Sequence, residues 1–247
     1  MPTTPENSTR FRLMTWNMHK GIGGLDRRYD LRRIVDTIAA AKPDIVHLQE
    51  VDDDVPRSGH HRQSDELAKA LAYEHHLYQA NVHLRRGRYG NAILTRFPFA
   101  ESHSLDLSLP FKKKRGAQIA TCRLPFGTLH LVNMHLGLVE FEQSRQLRKI
   151  LAHRYVSGIP ATEPLIVAGD FNDLLGRLGR RWLAPAGFHR AGGSSYTFPA
   201  FLPLRPLDQI HFRGALKLRH CHVEQNKIAR EASDHLPLIA DFEAAAG

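Results

Sequence analysis

The segment LIVAGDFN, residues 165–172, decides how this chain is read. Leu165 to Ala168 form a short apolar run that ends at Gly169, the mark of a buried strand. Asp170 and Asn172 follow, two residues apart. Side chains alternate along an extended chain, so Asp170 and Asn172 are expected on one face while Phe171 turns back into the core. A carboxylate and a carboxamide are thereby offered to one small ligand.

The same design recurs outward from this segment. The apolar run Phe11–Trp16 ends at Asn17, Ile45–Leu48 ends at Gln49 and Glu50, and Thr128–His135 ends at His135. Asp208 stands at the start of Leu207–Phe212, and Asp234 and His235 precede the run Leu236–Asp241. Further strands are expected at Leu77–Ala80, Asn91–Thr95, Ala117–Leu124 and Lys217–Val223. Asp30 is placed to cap a helix through Ala41, with Leu31, Ile34, Val35 and Ile38 at helical spacing. A second helix is expected over Ser64–Ala72 with Ser64 as its cap, and a third over Glu140–Val156. Strands outnumber helices and several are spaced as hairpins, which points to an α/β layered sandwich and not to a barrel of strict βα repeats. Gathering Glu50, Asp170, Asp208, Asp234, His135 and His235 at strand ends is costly unless a cation or a reacting phosphate shares the site.

Bulk properties narrow the partners. A 247-residue chain with 42% hydrophobic residues can bury a core without disulfide staples. Cys122 and Cys221 lie far apart among strand-forming residues, so free, buried thiols are expected. The formal charge of +9 favours anionic partners: nucleic acid, acidic lipid surfaces or phosphorylated small molecules. No run approaches the ~20 apolar residues that span a bilayer. Residues 1–10 are polar and include Pro2 and Pro5, so a disordered leader and a cytoplasmic location are expected.

Taken in order, these fragments resemble the endonuclease/exonuclease/phosphatase superfamily, which includes DNase I, the exonuclease III type AP endonucleases, neutral sphingomyelinases and inositol polyphosphate 5-phosphatases. The resemblance runs from Arg12 to Asp241. Gly169–Asn172 and Ser233–His235 are its most diagnostic parts, supported by Gln49-Glu50, Tyr89–Leu94, Arg115–Ala117 and Thr197–Pro199. It implies a four-layer αββα sandwich of two mainly antiparallel sheets flanked by helices, in a single domain over residues 11–243. It also implies hydrolysis of phosphoester bonds with Mg²⁺, for which Mn²⁺ can substitute. By position, Glu50, Asn17 and Asp234 are expected at the metal. Asp170 is expected to activate the attacking water with Asn172 in support. His235, oriented by Asp208, and His135 are expected on the phosphate side. Lys20, Asn91 and Arg115 are expected to contact substrate.

The branch is less determined. AP endonucleases of this superfamily carry a tyrosine where this chain has His135, and DNase I carries a glutamate where Tyr78-Gln79-Ala80-Asn81 has no acid. A phosphodiesterase acting as a monomer on nucleic acid stands slightly ahead of one acting on phospholipid or sphingomyelin head groups, or of an inositol-phosphate phosphatase. A non-catalytic protein that binds nucleic acid or membrane is the remaining class. The basic groups Arg85, Arg86, Arg88 and Lys112 to Arg115 are candidates for holding phosphates. Asp52-Asp53-Asp54 is read as a solvated loop, and the His60-His61 and His75-His76 pairs are assigned no metal.

Overall fold

The computed structural model describes residues 9–193 and 195–244. Most of the expected leader, residues 1–8, lies outside the described residues, and Arg10 already belongs to the first strand. In chain order the strands are β1 (Arg10–Asn17), β2 (Ile45–Asp53), β3 (His75–His83), β4 (Arg88–Thr95), β5 (Phe99–Asp106), β6 (Gly116–Leu124), β7 (Gly127–His135), β8 (Leu165–Asp170), β9 (His189–Arg190), β10 (Asp208–Arg213), β11 (Leu216–Val223) and β12 (Leu238–Ala244). The helices are α1 (Leu31–Ala41), α2 (Gln63–Ala70), α3 (Glu140–Leu151), α4 (Arg154–Ser157) and α5 (Lys227–Ala232).

The strands form two six-stranded sheets, ordered β11-β12-β1-β2-β4-β3 and β5-β6-β7-β8-β10-β9. Each sheet has one parallel pair, β1 with β2 and β7 with β8, and is otherwise antiparallel. Three apolar layers hold the stack. Phe11, Leu13, Ile93, Leu131, Ile166, Ile210 and Phe242 fill the space between the sheets. Ile34, Ile38 and Leu67 of α1 and α2 cover Met14, Trp16 and Leu48 on the outside of the first sheet. Leu147, Ile150 and Val156 of α3 and α4 cover Val132, Met134 and Val167 on the second. This is the expected αββα sandwich, and both cysteines are free.

Strand alternation then grades the interior. Along β1, Phe11 and Leu13 are apolar, Thr15 is polar and Asn17 reaches the end, all on the inner face. The series Leu129, Leu131, Asn133, His135 on β7 and Ile166, Ala168, Asp170 on β8 climbs the same way. Between the apolar floor and the ionisable rim lies a buried amide layer. Asn133 Nδ2 lies 2.9 Å from both Gln118 Oε1 and the Ala92 carbonyl, and Gln49 Nε2 donates to Asn133 Oδ1 at 2.8 Å. Asn133 thus links β7 to β2 and β4 across the sandwich.

Several local expectations change. The second helix starts at Gln63, so Ser64 lies in its first turn and does not cap it. The anchor is Gln63, whose carboxamide accepts from Asp52 N–H and donates to the Lys20 carbonyl, both at 2.7 Å. The third helix breaks at His153, which is extended at ψ 134°, leaving α3 and α4. The last strand begins at Leu238, since Pro237 has no N–H to give a ladder. Asp52 and Asp53 are buried ends of β2, not a solvated loop: Arg57 grips Asp52 through two nitrogens, and Arg88 pairs with Asp53.

Replacing Asn133 with leucine strands the Gln49 and Gln118 amides in the interior. Chemical denaturation is expected to show a loss of about 2–4 kcal/mol. A loss below about 0.5 kcal/mol would show that the amide layer does not hold the sheets together.

Candidate active site

The ends of β1, β2, β7 and β8 and the starts of β4, β6 and β10 all meet at one end of the sandwich, as their pairing directions require. Asp170, 1% exposed, ends β8 at the centre of this group. Asn17 Nδ2 donates to Asp170 Oδ2 at 2.9 Å, and the Asn172 N–H donates to Oδ1 at 2.9 Å. His135 Nε2 and His235 Nε2 approach the same Oδ2 to 3.4 and 3.9 Å. His235 Nδ1 donates to Asp208 Oδ2 at 2.8 Å, and Thr197 Oγ1 donates to that oxygen at 2.5 Å. Backbone contacts fix the segment that carries His235. Trp16 Nε1 donates to the His235 carbonyl, and Ser233 Oγ donates to the Asn17 carbonyl while accepting the His235 N–H.

The two histidines are set to opposite charge states. Burial, reinforced by Arg115 and Lys113, pushes His135 well below its ordinary range, so its imidazole is neutral. Burial acts in the same direction on His235, but the charge and hydrogen bond of Asp208, helped by Asp170 and Asp234, outweigh it and lift His235 to about 10. Burial pushes Asp170 above the usual carboxylate range, against the attraction of His235. A base beside an imidazolium and a neutral imidazole is an arrangement suited to proton transfer.

Glu50 lies on β2 in the other sheet, beside β1, at a bulge where Gln49 pairs with Asn91 and Val51 with Gly90. Its φ of 57° is a left-handed conformation that costs a non-glycine residue energy, and here it turns the carboxylate into the site. Lys20 pairs with Glu50 directly. Burial opposes ionisation of Glu50, but Lys20, His135 and Lys113 together hold its carboxyl below the usual range. Lys20, Arg57 and Lys113 also surround the Tyr89 ring at 5.2–5.7 Å from its centroid. Arg115 Nε and Asn91 Oδ1 are buried without partners among the described residues. Beside Arg115 a cavity of about 610 Å³ opens between β3 and β5, lined by Gln79, Asn81, Ser104 and Ser108.

The structure therefore brings Asn17, His135, Asp170, Asp208 and His235 into one cluster, with Glu50, Lys20, Asn91 and Arg115 along its edge. Asn172 departs from the expected geometry. The strand ends at Asp170 and Asn172 takes φ 51°, so it does not share a strand face with Asp170. Its side chain donates to the Leu136 carbonyl at 2.9 Å, and it reaches Asp170 through its backbone. Asp234 is partly exposed, with His19 Nδ1 3.8 Å away. Gly24 lets the 18–30 loop lie against it, since a Cβ there would fall 2.7 Å from the Asp234 Cα. Lys113 belongs to the basic run 112–115 expected to hold phosphates, whereas Thr197 and Arg57 are not among the site residues expected from sequence. Thr197 had a signal in the Thr-Phe-Pro motif, whereas Arg57 joins only through folding.

These groups fit a hard divalent cation. Asp170, Asp208 and His235 offer ligand atoms within 4.8 Å of one another, and Asp208 Oδ1 is buried without a partner among the described residues. With Oδ2 of Asp208 committed to Thr197 and His235 and both oxygens of Asp170 accepting N–H groups, the donors open to a cation are Asp208 Oδ1, the second oxygen of Glu50 and the carboxylate of Asp234. Carboxylate oxygens beside a carboxamide suit Mg²⁺ or Mn²⁺ better than a thiophilic metal.

Comparison with known proteins places this geometry. A family model described as the Endonuclease/Exonuclease/phosphatase family matches residues 14–235. The uncharacterized protein YbhP of Escherichia coli (strain K12) is 32% identical over 251 residues, covering 94% of this chain and 96% of YbhP. The crystal structure of an endonuclease/exonuclease/phosphatase from Beutenbergia cavernae superposes with a TM-score of 0.83 at 26% identity, over 96% of this chain and 72% of that one. Two more distant structures share the fold. D. rerio TDP2 complexed with single strand DNA product has a TM-score of 0.72 at 22% identity, over 95% of this chain and 99% of that one. The mannosyl-6-phosphatase Bt3783 of Bacteroides thetaiotaomicron has a TM-score of 0.77 at 16% identity, over 94% and 99%.

The charge on His235 is testable in metal-free protein. Its imidazole should stay protonated above pH 8 by NMR titration, in line with a value of about 10. In Asp208→Asn, burial acts without the compensating carboxylate and the midpoint should fall by at least ~2 units. An unchanged midpoint would show that Asp208 does not set the charge.

Proposed function

The chain belongs to the endonuclease/exonuclease/phosphatase family, and on that premise we propose that it is a Mg²⁺-dependent phosphodiesterase that attacks phosphorus in line with water. The observation that carries this reading is the buried Asp170 carboxylate, fixed by Asn17 and set between a neutral His135 and a protonated His235. Asp170 accepts the proton of the attacking water, and its raised affinity for a proton suits it to that task. The imidazolium of His235, held by Asp208 and Thr197, faces the phosphoryl group and balances charge that builds on its oxygens. His135 presents a neutral N–H on the same side. Lys20, Lys113 and Arg115 attract the anion, and Arg115 Nε is an unused buried donor.

Glu50, Asn17 and Asp234 would hold the cation. A cation bound there would supply positive charge to offset that of the phosphate. Asn172 acts through its backbone N–H, which keeps Asp170 in place.

The reacting groups suit any diester of modest bulk. Nucleic acid leads on charge alone, and a phospholipid head group is the other natural diester that a basic site attracts. The location expected from the sequence, the cytoplasm, and a monomeric state belong to the same proposal. Among the described residues, no helix is long and apolar enough to cross a membrane.

Hydrolysis of bis(p-nitrophenyl) phosphate beside p-nitrophenyl phosphate, with Mg²⁺, Mn²⁺ or EDTA, tests the reaction class. Diester turnover that EDTA abolishes is expected. Asp170→Ala and His235→Ala should each lower kcat at least ~10²-fold in folded protein. Near wild-type turnover by His235→Ala would sink the mechanism, and a strong preference for the monoester would move the chain to the phosphatases.

A further inference from the structure

The large apolar side chains that remain exposed are not scattered. Among the described residues, every one of them lies on a loop or helix at the catalytic end of the sandwich. Leu25 is in the loop after β1, and Phe111 is fully exposed between β5 and β6. Leu138 follows β7, Leu175 follows β8, and Phe201 and Leu202 lie in the loop before β10. Among the described residues, the turns at the opposite end of both sheets carry none. A fold that only needed solubility would have no reason to sort its exposed apolar groups by end, and such sorting marks an interaction surface.

The same loops are basic. Arg85 and Arg86 tip the β3–β4 hairpin near Leu84, Lys112 to Lys114 follow Phe111, and Arg177 follows Leu174 and Leu175. Aliphatic tips set among cations, spread over separate loops around a catalytic mouth, match the boundary of an anionic bilayer. The cations meet head groups and the leucines and phenylalanines enter the acyl layer. A nucleic-acid groove calls for a run of aromatic platforms that stack on bases, whereas among the described residues nine of these thirteen side chains are aliphatic and four, Phe111, Phe141, Tyr196 and Phe201, are rings.

We propose that this face docks on anionic lipid membranes and that the phosphodiester reaching the site is a phospholipid head group presented by that surface. The substrate part rests on the phosphodiesterase reading; the docking part does not.

The test uses the full chain in EDTA, so that no turnover occurs, with vesicles of phosphatidylcholine alone or mixed with phosphatidylglycerol. Co-sedimentation should be at least ~10-fold stronger on the anionic vesicles and should fall at high salt. Two double variants, Leu174→Ser with Leu175→Ser and Phe201→Ser with Leu202→Ser, should each weaken that binding at least ~5-fold. Both should hydrolyse soluble bis(p-nitrophenyl) phosphate as the parent does. Absence of binding to anionic vesicles, or full binding by both variants, overturns the docking face. Weakened retention of single-stranded DNA with unchanged vesicle binding would assign the loops to nucleic acid and likewise overturn it. Vesicle binding without any metal-dependent diester hydrolysis would leave docking standing and remove the catalytic reading.

Discussion

The contact between the Asp170 carboxylate and its surroundings governs the rest of the molecule. A buried carboxylate next to a second one, Asp208, is unstable unless opposite charge and hydrogen bonds are supplied from several directions. They come from β1 through Asn17, from β7 through His135, and from the segment before β12 through His235. Because those donors sit on both sheets, the sandwich must close in register before the cluster is satisfied. The amide layer around Asn133 lies directly beneath and bridges the same sheets, so the polar demand at the rim and the packing of the floor are met by one arrangement.

Charge is distributed within that arrangement to separate roles. His135 and His235 are both buried and lie near the same oxygen, yet only His235 has a dedicated carboxylate behind it. Its partner on the other side faces Arg115 and Lys113 instead. Two chemically identical side chains therefore hold different protonation states, set by what each one faces. The bulge at Glu50 and the left-handed turn at Asn172 are the backbone departures that accompany this placement.

Much of the site was legible because strand alternation is strict. A polar residue at the end of an apolar run with period two must face the layer its predecessors face, so Asn17, His135, Asp170 and Asp208 converge once the sheets pair. The reading failed where the chain left extended geometry, as at Asn172, and where burial depended on distant partners, as for Asp52 and Asp53. β5 was missed because its residues alternate weakly, being largely exposed at an edge. The cationic group around Tyr89 draws Lys20, Arg57 and Lys113 from three separate loops, and no spacing rule joins them. The apolar tips on the catalytic face were likewise visible only as unremarkable loop residues until topology showed which end each loop occupies.

The central claim is direct attack by water on phosphorus, opposite the leaving oxygen, with Asp170 as base and no covalent phosphoryl-enzyme. The stereochemical course at phosphorus reports on this most directly. Hydrolysis of a single diastereomer of a chiral phosphorothioate diester in ¹⁸O-labelled water should give a product of inverted configuration carrying one labelled oxygen. Retention of configuration would require two displacements and would contradict the account.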